Sequence, residues 1–592
     1  MPDSANRPSG RGSFRSRHRP VVYGTRHMAA AGHHLAAEAA FAILEGGGNA
    51  VDAGVAAIMT LAVVQPDMVN VAGVAPIMIH LAASGETVTI SGLGRWPALA
   101  SAEYFQRAHG GVVPEGLLRS VVPAAPDAWI TALERYGTLG FGEVAAAAIR
   151  AAGEGFATHQ FLSDRIKEYE ARYRVHPTTA AIYLPGGRPP EPGERFLQSD
   201  LAASLQYMAD EEAAALGGGR LAGLAAARAA FYRGDIARRI VAFHEENGGL
   251  LRMADLAAFR VGIEKPVSAT FRDLEVRACG PWCQGPVLPQ LLKLLEGFDL
   301  EAMGHNSPAY VHTLAEAIKL VFADRERHYG DPEVVPVPIE GLLSEGYADV
   351  RRTLLDPERA CPRMPPAGDP LAPAALAARQ LPEPAASPLP DPLAEPPLAD
   401  TSYACVVDRQ GNVFSATPSD PSWDGVVVPG TGLTPSTRGS QSRADPHHPA
   451  SVSPGKRPRL TPNPAILFRG GRPILPIGTP GGDAQAQSML QVILNVFLFG
   501  MDVQSAVEAP RFMSQSFPNS FAPHPYYPGR LNLEPRMGLA LGEALAAKGH
   551  VVYWWPDWYW RLGSVCTILI DREAGILQAG ADPRHESYAV GW

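Results

Sequence analysis

The stretch Asp400-Thr401-Ser402-Tyr403-Ala404-Cys405-Val406-Val407-Asp408 decides how this chain is read. An acid is followed by a hydroxyl residue that opens a strand-like apolar run. Just upstream, residues 361–399 are dense in proline with short Ala/Leu runs between, which predicts a mobile surface segment without fixed structure. A threonine at such a junction is either an ordinary strand residue or one placed to be freed by cleavage after Asp400. Once freed, Thr401 would offer its hydroxyl as nucleophile and its own α-amine as base. Left uncut, the chain would be a silent precursor.

Working outward, the pattern after Thr401 is rich in strands. Residues 403–407 and 413–416 flank the turn Asp408-Arg409-Gln410-Gly411-Asn412, and further strands are predicted at 465–468, 474–477 and 565–570. The part before residue 400 reads mainly as helix. An Ala-rich helix over 35–45 stops at Gly46-Gly47-Gly48-Asn49, and residues 51–64 form a second, nearly all-apolar helix that should be buried. A strand pair at 77–81 and 87–90 surrounds Ser84-Gly85, residues 120–255 are mostly Ala-rich helices, and a long helix over 309–329 ends at Gly330-Asp331-Pro332. Helices followed by strands predict an α+β fold of layered sheets covered by helices.

The 592 residues, 46% of them hydrophobic, suffice for one large core or two ordinary ones. A formal charge of −9 argues against a nucleic-acid partner. Cys279-x3-Cys283 lacks a matching second pair among the five cysteines, which argues against zinc, and no metal or organic cofactor is expected. Residues 1–27 are basic, rich in Ser, Pro and Gly, and read as a disordered tail, with no apolar segment of the kind a secretory signal needs. Gln491 and Asn495 interrupt the apolar run at 485–501, so it reads as a buried helix rather than a membrane span. The expected location is cytoplasmic.

Six blocks, in order, resemble the γ-glutamyltransferase family of N-terminal-nucleophile hydrolases. They are His34 to Glu38 with Gly47 to Ala53; Ala323-Asp324-Arg325 with Tyr329 to Pro332; Asp400-Thr401 with Val406 to Asp408 and Gly411-Asn412; Gly455 to Pro458; Gly478 to Gly482 with Ala509 to Phe512; and Gly580 to Arg584. The resemblance spans residues 28–592. It implies a four-layer αββα sandwich, synthesised as one precursor (a zymogen) and cut between Asp400 and Thr401. It thus implies a large chain, 28–400, and a small chain, 401–592, intertwined as one domain, with further dimerisation left open.

The resemblance also implies roles. Thr401 is the nucleophile, and Ser419 stands where the family places a hydroxyl that bonds it, with Thr417 as fallback. Gly481 and Gly482 match the paired glycines whose N–H groups hold the oxyanion. Arg95 lies one residue off the family arginine that binds a substrate carboxylate. Arg438 is a second anion-binding candidate, and Thr461 keeps one hydroxyl of a family serine pair. The stretch Thr437-Arg438-Gly439-Ser440-Gln441 lacks the acid that would hold a γ-glutamyl ammonium, and Arg438-Gly439 with residues 445–449 look more like the acylase-type branch. The aromatic run at 553–560 reads as core, an interface or an acyl-pocket wall, and His447 and His448 as turn residues. The expected activity is cleavage of a small amide through an acyl-threonine, with water or an amine as acceptor. The alternatives are true γ-glutamyl hydrolysis or transfer, and a non-catalytic member of the family.

Overall fold

The computed structural model describes residues 18–372 and 400–592. Two seven-stranded antiparallel sheets lie at its centre. One runs, edge to edge, Tyr588–Gly591, Met28–Ala31, Ala404–Val407, Val413–Ala416, Ile77–His80, Thr87–Ile90 and Ile263–Glu264. The other runs Val22–Gly24, Ile576–Ala581, Cys566–Asp571, Arg472–Gly478, Ala465–Arg469, Leu274–Ala278 and Val267–Phe271. Each sheet therefore mixes strands from both sides of the Asp400–Thr401 bond.

The period-2 alternation of the strand after Thr401 builds the layers. Ala404 and Val406 face one way, into a core shared with the helices His34–Glu45 and Ala50–Val64. Cys405 and Val407 face the other way, meeting Met28, Met78, Ile466, Phe468, Cys566 and Ile568 between the sheets. Outside the second sheet, Val287–Leu295, Pro308–His328 and Ala484–Phe497 pack on Val276, Leu467 and Leu475. The order is helix, sheet, sheet, helix: the αββα sandwich.

Residues 50–64 are buried throughout, which explains a helix apolar on every side. Asn49 and Asp52 form a capping box at its start. Asp408, at the far end of the Ala404–Val407 strand, accepts the Ala50 N–H at 2.9 Å and ties this helix to that strand. Gly54 is needed for contact, because a Cβ there would lie 2.1 Å from the Phe414 ring.

Two boundaries differ from expectation. The tail expected over 1–27 gives way by His18: the His18 and Arg19 N–H groups donate to Glu508, and Val22–Gly24 pairs with Ile576–Ala581. The proline-rich segment expected over 361–399 is irregular at 361–372, as predicted, but pinned there. Lys319 donates to the Cys361 carbonyl, the Met364 N–H to Tyr526, and the Gly368 N–H to Asp324. Residues 1–17 and 373–399 lie outside the described residues. Among the described residues no helix is long and apolar enough to cross a membrane.

Candidate active site

Thr401 is buried at the mouth of the strand it precedes, with its N–H on the Met68 carbonyl at 3.2 Å. Its φ is +98°. A β-branched residue is a steric outlier there, and such strain costs on the order of 1–3 kcal/mol. The strain sits on the residue whose N–H belongs to the Asp400–Thr401 peptide.

Three side chains converge on the Thr401 hydroxyl. Its Oγ1 lies 2.7 Å from Ser419 Oγ, 3.4 Å from Asp400 Oδ1 and 3.4 Å from Gln485 Nε2. Only the first distance is that of a good O–H···O bond. Ser419 Oγ in turn donates to Asp400 Oδ1 at 3.2 Å and accepts from Arg438 Nη2 at 2.6 Å. A serine hydroxyl has one donor and two acceptor sites. With Arg438 and Asp400 assigned, the remaining acceptor site takes the Thr401 O–H. The network therefore runs Thr401 to Ser419 to Asp400.

Arg438 is buried. Its Nη2 reaches Asp400 Oδ2 at 2.5 Å and its Nε faces Asp420 Oδ1 at 3.1 Å. Asp420 is fixed by the Ser436 hydroxyl at 2.7 Å and the Thr437 N–H at 3.2 Å. Burial raises the Asp400 carboxyl above the usual carboxylate range, against the pull of Arg438. Burial likewise pushes Asp420 up to about 6.

On the other side of the peptide, the Gly481 N–H donates to the Asp400 carbonyl oxygen at 3.3 Å. Gly481 has φ +119° and Gly482 φ +57°, backbone that favours glycine. Gln284 Nε2 holds the Gly482 carbonyl at 2.8 Å. Asp483, the next residue, pairs with buried Arg325 and accepts from Ser520 N–H and Oγ at 2.8 and 2.6 Å. The turn is thus braced from three directions.

The structure thus brings together Thr401, Ser419, Arg438, Asp400 and Gly481. Thr461 stands nearby: its carbonyl shares the Gln284 amide with Gly482, and its hydroxyl accepts from Gln441 Nε2 at 2.8 Å. Arg95 is engaged elsewhere, in a fork on Glu333 at 2.8 and 3.0 Å and on the Gly455 carbonyl at 3.0 Å. Thr417 Oγ1 has no hydrogen-bond partner, so Ser419 rather than the fallback meets the Thr401 hydroxyl. His448 turns inward, its Nδ1 accepting the Ala450 N–H and its Nε2 3.6 Å from Glu326. Trp555 is core, against Ala484, Met513 and Leu562, and Trp560 stacks edge-on to Phe161.

Sequence reasoning gave Asp420 and Gln485 no role, and treated Asp400 only as a cleavage position. The acid before Thr401 was visible, but a side chain folding back onto the next hydroxyl leaves no mark in composition or spacing.

Two His/Glu groups have metal-like spacing among the described residues, and in each most ligand atoms are engaged in hydrogen bonds, while His33 Nε2 and His550 Nδ1 have none. His159 binds Glu586 through Nδ1 at 2.8 Å and the Val64 carbonyl through Nε2 at 3.0 Å. His312 binds His550 at 2.9 Å and the Asp356 carbonyl at 2.8 Å. No hydrogen bond links either group to Thr401 directly.

The family model for gamma-glutamyltranspeptidase matches residues 36–592. The chain belongs to that family. Within it, the chain is 34% identical over 544 residues to the Acylase ACY 1 proenzyme of a Pseudomonas species, covering 89% of this chain and 88% of that one. It is 31% identical over 576 residues to the glutathione hydrolase-like YwrD proenzyme of Bacillus subtilis, covering 96% and 99%. The crystal structure of a cephalosporin acylase from Bacillus halodurans matches with a TM-score of 0.83 at 28% identity, covering 100% and 99%. The blocks that mark the family in this chain are in large part structural. Asp331 pairs with Arg457, Asp582 with Arg511 and Arg584, and Arg325 with Asp483.

Proposed function

We propose that this chain is a self-processing threonine amidohydrolase of the acylase type, and that one site performs two reactions. In the first, Thr401 passes its hydroxyl proton through Ser419 to the Asp400 carboxylate, and Oγ1 attacks the Asp400 carbonyl carbon. The oxygen that becomes negative is the one already facing the Gly481 N–H. The C–N bond breaks, the proton passes to the departing amine, and Asp400 is left as an ester on Thr401 Oγ1. Water hydrolyses the ester. The large chain then ends at Asp400 and the small chain begins at Thr401.

In the second reaction Thr401 attacks a small-molecule amide. Its α-amine, which titrates near ~8 when free, takes the proton. Gly481 and Gly482 N–H groups hold the oxyanion, and the acyl-threonine is released to water or an amine acceptor. Because each sheet is woven from strands of both chains, the two stay together after the cut.

One observation carries this reading. The Asp400–Thr401 peptide lies between an attacking hydroxyl with a proton path and a backbone donor on its carbonyl oxygen. The proenzyme names of the relatives support it. True γ-glutamyl hydrolysis or transfer is the second reading, favoured by the glutathione hydrolase-like relative and opposed by the lack of an acid at Thr437 to Gln441. Incubation of the purified 63.0 kDa chain followed by intact mass and N-terminal sequencing tests the first reaction. A fragment beginning at Thr401 is expected, and a chain that stays intact at every pH would refute it.

A further inference from the structure

We propose that Asp400 is a built-in template of the substrate: the processed protein accepts acyl groups with the shape of Asp400 itself, a 3-carboxypropanoyl (succinyl- or aspartyl-type) group whose carboxylate takes the place of Asp400 on Arg438. This presupposes the self-cleavage set out above. The ester made in that step, Asp400 carbonyl carbon on Thr401 Oγ1, is the same functional group as the acyl-threonine formed from a small amide. A pocket that holds the first holds an acyl group of equal shape in the second.

The dimensions of that group are on the page. The carbonyl to be attacked has its oxygen on the Gly481 N–H at 3.3 Å. Two carbons further along the side chain, the carboxylate meets Arg438 Nη2 at 2.5 Å and the Ser419 hydroxyl at 3.2 Å. A carbonyl and a carboxylate separated by two carbons define a succinyl unit.

The clamp is also built to outlast Asp400. Arg438 keeps its Nε on Asp420 at 3.1 Å and its Nη2 on Ser419 at 2.6 Å, and Asp420 is itself held by Ser436 and Thr437. When the large chain's end withdraws, a buried guanidinium is left with one of its two carboxylates. Its planar fork is suited to take another carboxylate in the same position. Because the guanidinium is fixed, it measures length. A glutaryl or γ-glutamyl chain is one methylene too long and must buckle, a mismatch worth about 10- to 200-fold in kcat/KM. A butyryl chain of equal length but without the carboxylate leaves the cation half-paired, and such unpaired polar sites reject analogues by about 10,000-fold or more.

The test uses the fully cleaved wild-type protein, with the Thr401 N-terminus verified by mass. Hydrolysis of succinyl-, glutaryl-, adipyl-, γ-glutamyl- and butyryl-p-nitroanilide is compared as kcat/KM. The expected order places succinyl first, at least about 10-fold above glutaryl and γ-glutamyl, with butyryl slowest. Succinate is expected to compete, and butyrate not. Cleaved, active protein that prefers glutaryl, γ-glutamyl or butyryl overturns the template and leaves the amidohydrolase standing. Cleaved protein that hydrolyses none of the five also overturns it. A chain that never cleaves overturns the underlying reaction as well.

Discussion

Asp400→Asn should arrest self-cleavage without disturbing the fold. The amide has the shape of the carboxylate; its one oxygen can keep accepting from Arg438 while its NH2 faces Ser419, which then accepts instead of donating, so residue 400 stays buried with partners on both sides. What it loses is basicity. In the wild type the proton path from Thr401 ends on Asp400 Oδ1, through contacts of 2.7 and 3.2 Å. A positioned general base contributes about 100- to 10,000-fold, or about 2.7–5.4 kcal/mol of barrier. The half-life of the precursor should lengthen by that factor, measured as the decay of the intact mass at fixed temperature. Thermal unfolding of the uncut variant serves as the control for folding. The pH dependence supplies a second, independent reading. Burial raises the Asp400 pKa, so its carboxylate is lost as pH falls through a value above the ordinary range for aspartate. Wild-type cleavage should therefore slow in mild acid, and that acid limb should vanish in the asparagine variant. A variant that cuts itself at the wild-type rate, or that keeps the same acid limb, would refute Asp400 as the proton acceptor.

Thr401→Ala should remain a single chain indefinitely and show no amidase activity, by gel and anilide assay; cleavage that survives the change removes Thr401 as the nucleophile. Ser419→Ala breaks the relay and leaves the Thr401 hydroxyl only the 3.4 Å contacts to Asp400 and Gln485, so self-cleavage should slow by about 100-fold or more while the folded mass and circular dichroism stay unchanged. Gly481→Ala forces a residue with a Cβ to φ +119°, and the shifted N–H should reduce both cleavage and turnover by about 100- to 1,000-fold, seen as kcat rather than KM. Arg325→Met leaves Asp483 buried without its cation, at a cost of about 3–5 kcal/mol, and a lowered Tm together with slowed cleavage would show that the ion pair braces the glycine turn.

Much of the architecture was legible because it depends on local pattern. The nearly all-apolar run at 51–64 read as a buried helix; the Asn49/Asp52 cap and the Asp408–Ala50 bond that tie it to the Ala404–Val407 strand emerged only in the structure. The apolar run after Thr401 read as a strand, and strand geometry then puts Ala404 and Val406 on one face and Cys405 and Val407 on the other, both buried. The edge strand Val22–Gly24 was missed because three residues in a basic, polar neighbourhood carry no periodicity, and partners more than 500 residues away hold them. At the site, the order of the blocks pointed to Thr401, Ser419, Gly481 and Gly482. It did not disclose that Arg438 would be closed by Asp400 and Asp420, since a clamp built from residues 400, 420 and 438 exists only after the sheet has formed. Arg95 illustrates the converse. Its residue type suits a carboxylate, and the chain supplies one in Glu333.

The two proposed reactions differ in what acts as base, and on this proposal that difference explains why the first happens once. Before cleavage the Thr401 nitrogen is an amide, donating to Met68 and useless as a base, so the proposed route sends the proton to Asp400. The acyl group that is transferred carries that base with it. When Asp400 leaves, the site loses its first proton acceptor in the same event that creates the second, the α-amine of Thr401. The positive φ at Thr401 gives the exchange a direction, because the strained torsion about N–Cα is imposed by the peptide link and is released when the link is cut. Religation would have to restore the strain and return the amine to an acyl carbon. A carboxylate on Arg438 and a carbonyl on Gly481 are common to both steps, so the groups that bind persist while the group that accepts the proton changes.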